Sequence, residues 1–483
     1  MAYIGDKLDD FARNAPDKTA ITCGVTRLSW QNLVLKIETA EDYLRRHSPR
    51  GGRIALTLED PLALIVCFFA CARNARIAMV LDPDWPVAQQ SDAKAATSPD
   101  LQIDNAVYET FSDIDTDQRE NYVPVDGAAP KEDDPFYVGF TSGSTGLPKG
   151  YLRNHGSWLQ SFVLSDAEFE TPEDARIILA GQLVHSLHLY GAIYGLASGR
   201  EVVLLHHFDP RALLAEIARS QNGASLYATP TQVHYLAEAA KRGGSLDALR
   251  QVLVSGAKWR EEDRRALNKF FPGAGLFEFY GASETSFITV SGAEDEIPAG
   301  SVGRAAKGVD IAIGDPVAPA SENVTGPIWV KSDLLFSGYV SGNSDHTRWQ
   351  NGWLTFGDHG YLDTEGFLFL TGRANRMVIT SGLNVYPEEV EAVLARHPAV
   401  EMAIVTGVQD PVRGQVLEAV IKLSVSLADA EMDLLRHCKM HLATGKVPRR
   451  FHFRDHLPLT AGGKPDIREI TANFMGQERD DGT

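Results

Sequence analysis

The segment Phe140–Gly150, FTSGSTGLPKG, concentrates glycines, hydroxyl side chains and one lysine within eleven positions. Gly143 and Gly146 allow the backbone to turn tightly and to approach a ligand closely. Successive backbone N–H groups in such a turn form an anion-binding site, and Lys149 adds a positive charge that suits a phosphate group. The segment differs from the common phosphate loop G-x-x-x-x-G-K-[ST], because a proline precedes its lysine and a glycine follows it. Taken alone, it is either a nucleotide-binding loop of another kind or a Gly/Ser-rich surface loop.

The pattern S-G-S-T-G-x-P-K-G resembles the signature loop of the acyl-adenylating superfamily, which includes acyl-CoA synthetases, nonribosomal peptide adenylation domains and luciferases. Other segments resemble further motifs of this superfamily, in the same order and at the same spacing, along nearly the whole chain. These segments are VSGAK (254–258), FYGASE (279–284), WLTFGDHGYLD (353–363), GRANRMVITSGLNVYPEEVE (372–391) and LPLTAGGKPDIREI (457–470). The branch that the chain resembles most is that of the free-standing acyl-CoA synthetases.

The resemblance implies a site for ATP and AMP. It places Tyr280 on the adenine ring, Glu284 on the magnesium ion that accompanies the triphosphate, and Asp358 on both ribose hydroxyls. Taken alone, Glu284 could be a solvated glutamate after a strand, and Asp358 could cap a turn. The ATP- and AMP-binding residues that the resemblance implies are Thr141, Ser142, Gly143, Ser144, Thr145, Gly146, Lys149, Gly256, Ala257, Tyr280, Gly281, Ser283, Asp358 and Arg373.

The C-terminal motifs imply three more roles. Lys464 falls on the catalytic lysine of the superfamily, which bridges the carboxylate oxygen and the α-phosphate while negative charge develops. Gly382 falls in the segment that lines the pantetheine tunnel during thioester formation. Asn375 stands at the hinge, where aspartate or lysine is usual. The catalytic residues expected are therefore Lys464, Glu284 and Lys149.

Two histidines lie in the segment GQLVHSLHLYG (181–191), which corresponds to the acyl pocket of the superfamily. At a spacing of three, His185 and His188 would share a helix face. We expect them to form a pocket wall, with core packing as the alternative and a metal pair disfavoured because no further ligands are evident. The segment contains no acidic residue to hold a substrate ammonium and no arginine to hold a second carboxylate. An apolar monocarboxylic acid, either fatty or aryl, is therefore the expected substrate.

The implied reaction has two halves. A carboxylate attacks the α-phosphate of ATP, which gives acyl-AMP and pyrophosphate, and a thiol then displaces AMP to give a thioester. We expect ATP with Mg²⁺ and, as the thiol, coenzyme A. The alternatives are an adenylating enzyme that loads an acyl carrier protein, and a non-catalytic nucleotide-binding relative.

Composition sets broad limits. The chain has 483 residues and a formal net charge of −18, which argues against a broad nucleic-acid-binding surface. Its four cysteines are too few and too scattered for a disulfide framework. The N-terminus lacks a signal-peptide profile, and the longest apolar run, 61–72, is too short to span a membrane. We therefore expect a cytoplasmic protein, and its oligomeric state is left open.

Strand and helix patterns alternate through the first half of the chain, with helices expected at 61–74 and 210–220. This alternation predicts an α/β fold with mostly parallel sheets. Residues 290–343 read as a β-rich subdomain, and the final part, with helices expected at 387–397 and 429–442, as a small, mobile α+β domain. The expected domains are residues 1–374, which bind ATP and the acyl group, and residues 375–483, which carry the catalytic lysine.

Overall fold

A computed structural model describes residues 2–112, 127–141, 148–241, 247–256, 259, 261–292, 295–342, 344–380, 383–410, 414–427, 429–459, 465–467 and 469–472. The chain divides into two units. The larger comprises Met1–Ile311 with Val330–Asp345, and the smaller comprises Ala312–Trp329 with His346–Thr483.

The larger unit contains ten helices among its described residues. They are α1 (Leu8–Asn14), α2 (Trp30–His47), α3 (Pro61–Arg73), α4 (Val87–Thr97), α5 (Asn105–Ser112), α6 (His155–Phe169), α7 (Ser186–Ala197), α8 (Pro210–Ala218), α9 (Pro230–Ala240) and α10 (Glu261–Phe270).

Strands β1 to β17 begin in the larger unit, except β16, which begins in the smaller unit. They are β1 (Thr19–Cys23), β2 (Thr26–Ser29), β3 (Arg53–Thr57), β4 (Ile77–Val80), β5 (Leu101–Asp104), β6 (Pro135–Thr141), β7 (Lys149–Asn154), β8 (Arg176–Leu179), β9 (Val202–Leu204), β10 (Ala224–Ala228), β11 (Leu249–Val254), β12 (Gly275–Ala282), β13 (Ser286–Ser291), β14 (Ser301–Ala305), β15 (Asp310–Ile313), β16 (Gly326–Lys331) and β17 (Gly338–Ser341).

Within the larger unit, the strands other than β15 and β16 form two mostly parallel sheets. One has the order β14-β13-β12-β11-β10-β8-β9-β1-β2, with parallel pairing from β12 to β1 and antiparallel pairing at both ends. The other has the order β17-β7-β6-β4-β3-β5, in which β6, β4, β3 and β5 are parallel neighbours. Buried residues of α8, α9 and α10 pack against β8, β10 and β11. The predicted α/β fold with mostly parallel sheets is confirmed.

Local signals account for where several helices begin. Asp60 and Asp209 each precede a proline, and their carboxylates accept hydrogen bonds from the backbone N–H of Leu62 and Arg211. Such N-caps satisfy donors that would otherwise lack partners, and proline fits the first turn because its missing N–H is not needed there. Helices were predicted at 61–74 and 210–220, and α3 and α8 confirm both.

Helix α3 carries two of the four cysteines. Cys67 and Cys71 are both fully buried on it and are free thiols. Their burial favours core packing over a metal or redox pair. It raises the pKa of both thiols and so disfavours the thiolate, which is the form that binds metals and reacts.

The smaller unit contains an antiparallel segment and a compact α+β segment. Its remaining elements are β18 (Thr347–Gln350), β19 (Trp353–Phe356), β20 (Asp358–Leu362), β21 (Phe367–Arg373), β22 (Val378–Thr380), β23 (Leu383–Val385), α11 (Pro387–Leu394), β24 (Val400–Asp410), β25 (Gly414–Leu423), α12 (Ala430–His441), a 3₁₀ turn (Thr444–Lys446) and β26 (Arg450–Phe453). Antiparallel pairs join β18 to β19, β20 to β21 and β24 to β25, whereas β26 pairs with β25 in parallel.

The predicted secondary structure of this later part agrees with the described elements. Helices were expected at 387–397 and 429–442, and α11 and α12 lie there. Residues 290–342 contain strands and, where the structure describes them, no helix. The boundary at residue 374 and the mobility of the C-terminal part stay predictions. No helix in the described part of the chain is both long and apolar enough to cross a membrane.

Candidate active site

The β6–β7 hairpin holds the two ends of the glycine- and hydroxyl-rich loop side by side. Thr141, the last residue of β6, pairs with Lys149, the first residue of β7. The intervening site candidates Ser142, Gly143, Ser144, Thr145 and Gly146 lie outside the described residues, as do Ala257, Gly382 and Lys464. The hairpin therefore brings the expected phosphate-binding lysine back beside the strand that precedes the loop.

Tyr339 lies between two of the predicted catalytic residues. Its hydroxyl donates a hydrogen bond to Glu284 Oε1 at 2.6 Å. The Nζ of Lys149 lies 6.0 Å from the centroid of the same ring, within reach of a cation–π interaction. Strand β17 carries Tyr339 and pairs with β7. The structure thus brings Glu284 to the hydroxyl of Tyr339 and Lys149 near its ring.

The carboxylate of Glu284 suits a hard divalent cation. Glu284 is half-buried, and within the described part of the chain it forms no ion pair with a basic side chain. One of its oxygens is oriented by Tyr339. Magnesium is usually held by one or two carboxylates together with phosphate oxygens and water, so a single carboxylate oriented by a hydrogen bond fits this ion.

A tight turn between β12 and β13 presents Ser283 and Glu284. The Ala282 N–H donates to Thr285 Oγ1 at 3.0 Å, and the Thr285 N–H donates to the Ala282 carbonyl at 3.0 Å. The register of the two strands shifts beside Gly281, where a Cβ atom would lie 1.7 Å from the Ser286 carbonyl oxygen. Only glycine fits this approach, so the predicted site residue Gly281 sets the path of the turn.

Two other predicted adenine-side residues lie on neighbouring strands of the same sheet. Tyr280 is half-buried near the end of β12, and Gly256 follows β11 with a φ of +96°. Because β11 and β12 are parallel neighbours, their carboxyl ends meet at one edge of the sheet. That edge is where ligands commonly bind in open α/β sheets.

The two histidines differ in their surroundings. Helix α7 begins at Ser186, so His185 is its N-cap residue rather than a member of a helix face. His188 is buried, and its Nε2 lies 3.3 Å from Gln232 Oε1. Burial lowers the pKa of His188 to about 3, so its ring is neutral at neutral pH. Among the described residues, no group of three or more His, Cys, Asp or Glu side chains could hold a metal ion.

In the smaller unit, the structure brings Asp358 and Arg373 together. They are directly paired residues of β20 and β21, and Arg373 Nε lies 2.9 Å from Asp358 Oδ1. The Asp358 side chain is 9% exposed and that of Arg373 is 62% exposed. An exposed arginine is thus paired with a buried carboxylate. This arrangement can present both groups to a polar ligand.

Asn375, the predicted hinge residue, is followed by a firmly held arginine. Arg376 donates to Glu388 Oε1 at 3.0 Å, to Glu391 Oε1 at 2.5 Å and to the Val405 carbonyl at 3.1 Å. Burial lowers the pKa of Arg376, but the hydrogen bonds and charges of Glu391 and Glu388 outweigh this and raise it. Asn375 therefore lies between two anchored arginines, Arg373 and Arg376.

Tyr339 is the residue that sequence reasoning missed. It lies in FSGYVS (336–341), part of residues 290–343, for which the sequence predicts only a β-rich subdomain. The available signal was an aromatic residue directly after a glycine in a segment otherwise rich in small residues. That signal is weak because many surface strands share it.

Family models provide an independent comparison. The model of the AMP-binding enzyme family matches residues 8–340, and the model of the AMP-binding enzyme C-terminal domain matches residues 389–464. The chain belongs to the AMP-binding enzyme family. The predicted membership of the acyl-adenylating superfamily is confirmed, and so is the prediction of an AMP-forming ligase of the acyl-CoA synthetase type.

Individual members of the AMP-binding enzyme family match nearly the whole chain. The acyl--CoA ligase YhfT of Bacillus subtilis (strain 168) is 33% identical over 472 residues, which cover 94% of this chain and 94% of that protein. The 2-succinylbenzoate--CoA ligase of Bacillus velezensis is 31% identical over 436 residues, or 86% of each. The solved structure of O-succinylbenzoate Coenzyme A Synthetase (MenE) from Bacillus subtilis, in complex with ATP and magnesium ion, has a TM-score of 0.83 and 26% identity, and covers 96% of this chain and 98% of that chain. These comparisons give no support to an acyl carrier protein as the acceptor.

Proposed function

We propose that this protein activates an apolar monocarboxylic acid, fatty or aryl, with ATP and transfers the acyl group to coenzyme A. The products are acyl-CoA, AMP and pyrophosphate. The observation that carries the proposal is that Lys149, at the start of β7, and Glu284 both lie next to Tyr339. A cation for phosphate and a carboxylate for magnesium are the two groups that a triphosphate requires nearby.

In this proposal, the larger unit supplies the groups that handle the triphosphate. Backbone N–H groups of the loop 142–146 and the ammonium of Lys149 bind phosphate oxygens, while Glu284 holds magnesium, which neutralises charge on the leaving pyrophosphate. Tyr280 packs on the adenine beside Gly256. No side chain serves as a nucleophile, because the substrate carboxylate itself attacks the α-phosphate, and the protein contributes positioning and charge stabilisation.

The later part of the chain supplies the remaining proposed groups. Asp358 accepts hydrogen bonds from the ribose hydroxyls, and Arg373, held against it, also contacts the nucleotide. Lys464 stabilises the charge that develops between the carboxylate and the α-phosphate. Asn375 is the hinge and Gly382 borders the path of the pantetheine arm. These roles are carried over from the superfamily, residue by residue, onto matching motif positions.

The substrate class is proposed from the composition around α7. The helix is buried along most of its length, and its neighbours are aromatic: Tyr190 packs against Trp158, Phe162 and Phe287 at centroid distances of 5.6, 5.4 and 5.4 Å. His188 is neutral there. Such surroundings favour an uncharged acyl chain or ring, since an ammonium or second carboxylate would need a compensating charge.

The proposal is tested by ATP–pyrophosphate exchange with a panel of fatty acids, aryl acids, α-amino acids and dicarboxylic acids, followed by AMP release with and without coenzyme A. We expect exchange with at least one apolar acid, and AMP release that depends on coenzyme A. Exchange confined to amino acids or dicarboxylic acids would contradict the substrate class. Exchange with an apolar acid but AMP release indifferent to coenzyme A would contradict the acceptor.

A further inference from the structure

Arg153, on β7, is buried in the larger unit beneath the turn that carries Glu284. Only 1% of its surface is exposed. Its guanidinium donates to Ser157 Oγ at 3.2 Å, to the Ser283 carbonyl at 3.1 Å, to Ser286 Oγ at 2.7 Å and to the Leu334 carbonyl at 2.6 Å. All four acceptors are neutral oxygens, and none is a carboxylate.

A buried guanidinium that donates hydrogen bonds only to neutral oxygens is unusual, because burial of a charge is costly. Burial lowers the pKa of Arg153 to about 10, and the side chain stays charged at neutral pH. The planar fork of arginine offers five donors in fixed directions, which an ammonium cannot reproduce. The geometry of the donors, rather than an ion pair, is thus what this position uses.

The acceptors of Arg153 lie on both sides of Glu284. Ser283 precedes Glu284 directly, and Ser286 follows two residues later with a φ of +57°, a conformation that is uncommon for serine. The third segment contacted, at Leu334, leads to Phe336, whose N–H donates to the Glu284 carbonyl at 2.8 Å. One side chain therefore links β7, the turn and the segment that leads into β17.

We propose that Arg153 is a positioning residue, which holds the Ser283–Ser286 turn so that the carboxylate of Glu284 points to its metal. The inference rests on the proposed function, because it takes the magnesium role of Glu284 as given. Arg153 does not touch the reacting atoms. It orients the backbone from which Glu284 projects, as hydrogen bonds behind ligating carboxylates do in other metal sites.

The test measures metal binding at equilibrium, without turnover. Mn²⁺, as a spectroscopic substitute for Mg²⁺, is titrated by electron paramagnetic resonance in the presence of the non-reactive analogue α,β-methylene-ATP. We expect Arg153→Met to weaken Mn²⁺ binding about tenfold or more, and Arg153→Lys to have an intermediate effect. Binding of metal-free AMP should change much less, because AMP does not require the carboxylate of Glu284.

Arg76→Met is the matched control. Arg76 is also a buried arginine of the larger unit, 4% exposed, and it donates to the carbonyls of Asn74 and Ser48 and to their side-chain oxygens. We expect Arg76→Met to lower the midpoint of urea unfolding at least as much as Arg153→Met but to leave Mn²⁺ affinity within about twofold. Equal Mn²⁺ affinity in the two arginine variants would overturn the positioning role.

Two further variants keep the result interpretable. Glu284→Gln should weaken Mn²⁺ binding as strongly as Arg153→Met. If it does not, the magnesium role in the proposed function fails; if it does and Arg153→Met has no effect, the inference alone fails. Should Arg153→Met not fold, Ser286→Ala removes one acceptor only. It should weaken Mn²⁺ binding by about two- to fivefold, less than Arg153→Met does, because the other three hydrogen bonds of Arg153 remain. Unchanged binding would contradict the inference.

Discussion

At the scale of single residues, Tyr339 determines how the predicted catalytic groups are arranged. Its hydroxyl orients Glu284, and its ring faces the ammonium of Lys149. A hydrogen bond to a charged group is stronger than one between neutral groups, so this contact restricts the carboxylate to fewer orientations. Tyr339 can affect the reaction without touching the substrate, because its neighbours Lys149 and Glu284 are both expected to act on the substrate.

Tyr339→Phe should therefore impair the ATP half-reaction. The variant keeps the ring beside Lys149 but removes the donor to Glu284, a loss of about 1.5 kcal/mol or more, or roughly tenfold. We expect ATP–pyrophosphate exchange to need a correspondingly higher Mg²⁺ concentration. Tyr43→Phe is the control, since Tyr43 lies on α2, stacks on Phe111 at 4.3 Å and belongs to none of the superfamily motifs. A Mg²⁺ requirement equal to that of the unmodified protein would remove Tyr339 from this role.

At the scale of secondary-structure elements, the close approach of β12 and β13 shapes the Glu284 turn. The missing side chain of Gly281 is what allows it, since a Cβ atom there would collide with the backbone of Ser286 rather than with a movable side chain. A strand pair that is forced apart at this point would also displace Ser286, which bonds to Arg153. The geometry of the strand pair and the position of the Glu284 turn are thus coupled through Gly281.

Gly281→Ala should lower both stability and activity. We expect a loss of about 2–4 kcal/mol in the free energy of unfolding, typical of overpacking that the backbone must absorb, with pyrophosphate exchange falling at least about tenfold. Gly273→Ala is the matched control, because a Cβ atom there would meet nothing within 4 Å. Denaturant unfolding and ATP–pyrophosphate exchange are measured on both variants. Equal losses of stability and exchange in the two variants would refute the steric argument.

The start of α6 carries a second buried histidine, with consequences for pH. His155 stacks on Phe136 at 4.7 Å, and its Nδ1 accepts a hydrogen bond from the Ile4 N–H at 3.0 Å. Burial lowers its pKa from 6.5 to about 4. Between these two values the unfolded chain binds more protons than the folded one, so the free energy of unfolding must fall as the pH falls through this window.

His155→Gln should reduce that pH dependence. We expect the unmodified protein to lose on the order of 2 kcal/mol between pH 6.5 and pH 4 through this group, and the variant to be less stable at pH 7 but to show a shallower fall. Urea unfolding at pH 7, 5.5 and 4.5 measures both slopes. His47→Gln, at an exposed position on α2, should leave the slope unchanged, and a slope for His155→Gln as steep as in the unmodified protein would contradict the argument.

At the scale of the whole molecule, the two proposed half-reactions should depend on different residues of the C-terminal part. Lys464 is expected to act only while acyl-AMP forms, and Gly382 only while the thiol attacks. Asn375, the proposed hinge residue, precedes both in the chain. The proposal therefore assigns Lys464 and Gly382 to two different positions of this part.

Lys464→Ala should abolish pyrophosphate exchange and largely spare thioester formation from supplied acyl-AMP. Gly382→Leu should do the reverse, because a bulky side chain would obstruct the thiol but not the nucleotide. Each variant serves as the control for the other, with both half-reactions measured on both. Equal loss of the two half-reactions in either variant would contradict the division of roles.

The sequence by itself determined the fold class, the family and most of the elements. Helices such as α3 and α8 can be predicted from the sequence, because a capping aspartate and a proline act on their immediate neighbours in the chain. The sequence indicates the loop 140–150 for a similar reason, since the role expected of its glycines and hydroxyls depends on neighbouring residues in the chain. The pairing of Asp358 with Arg373 also lies close in the chain, one strand connection apart.

Only the tertiary structure decided which side chains support these motifs. Tyr339 contacts Glu284 from β17, and Arg153 contacts the neighbouring Ser283 from β7. Both strands are remote from Glu284 in the sequence. Their positions depend on strand order and packing, which a local sequence pattern does not reveal. Residues that bind through their own backbone neighbourhood are therefore visible in a sequence. Residues that act by holding another segment in place become visible only once the chain has folded.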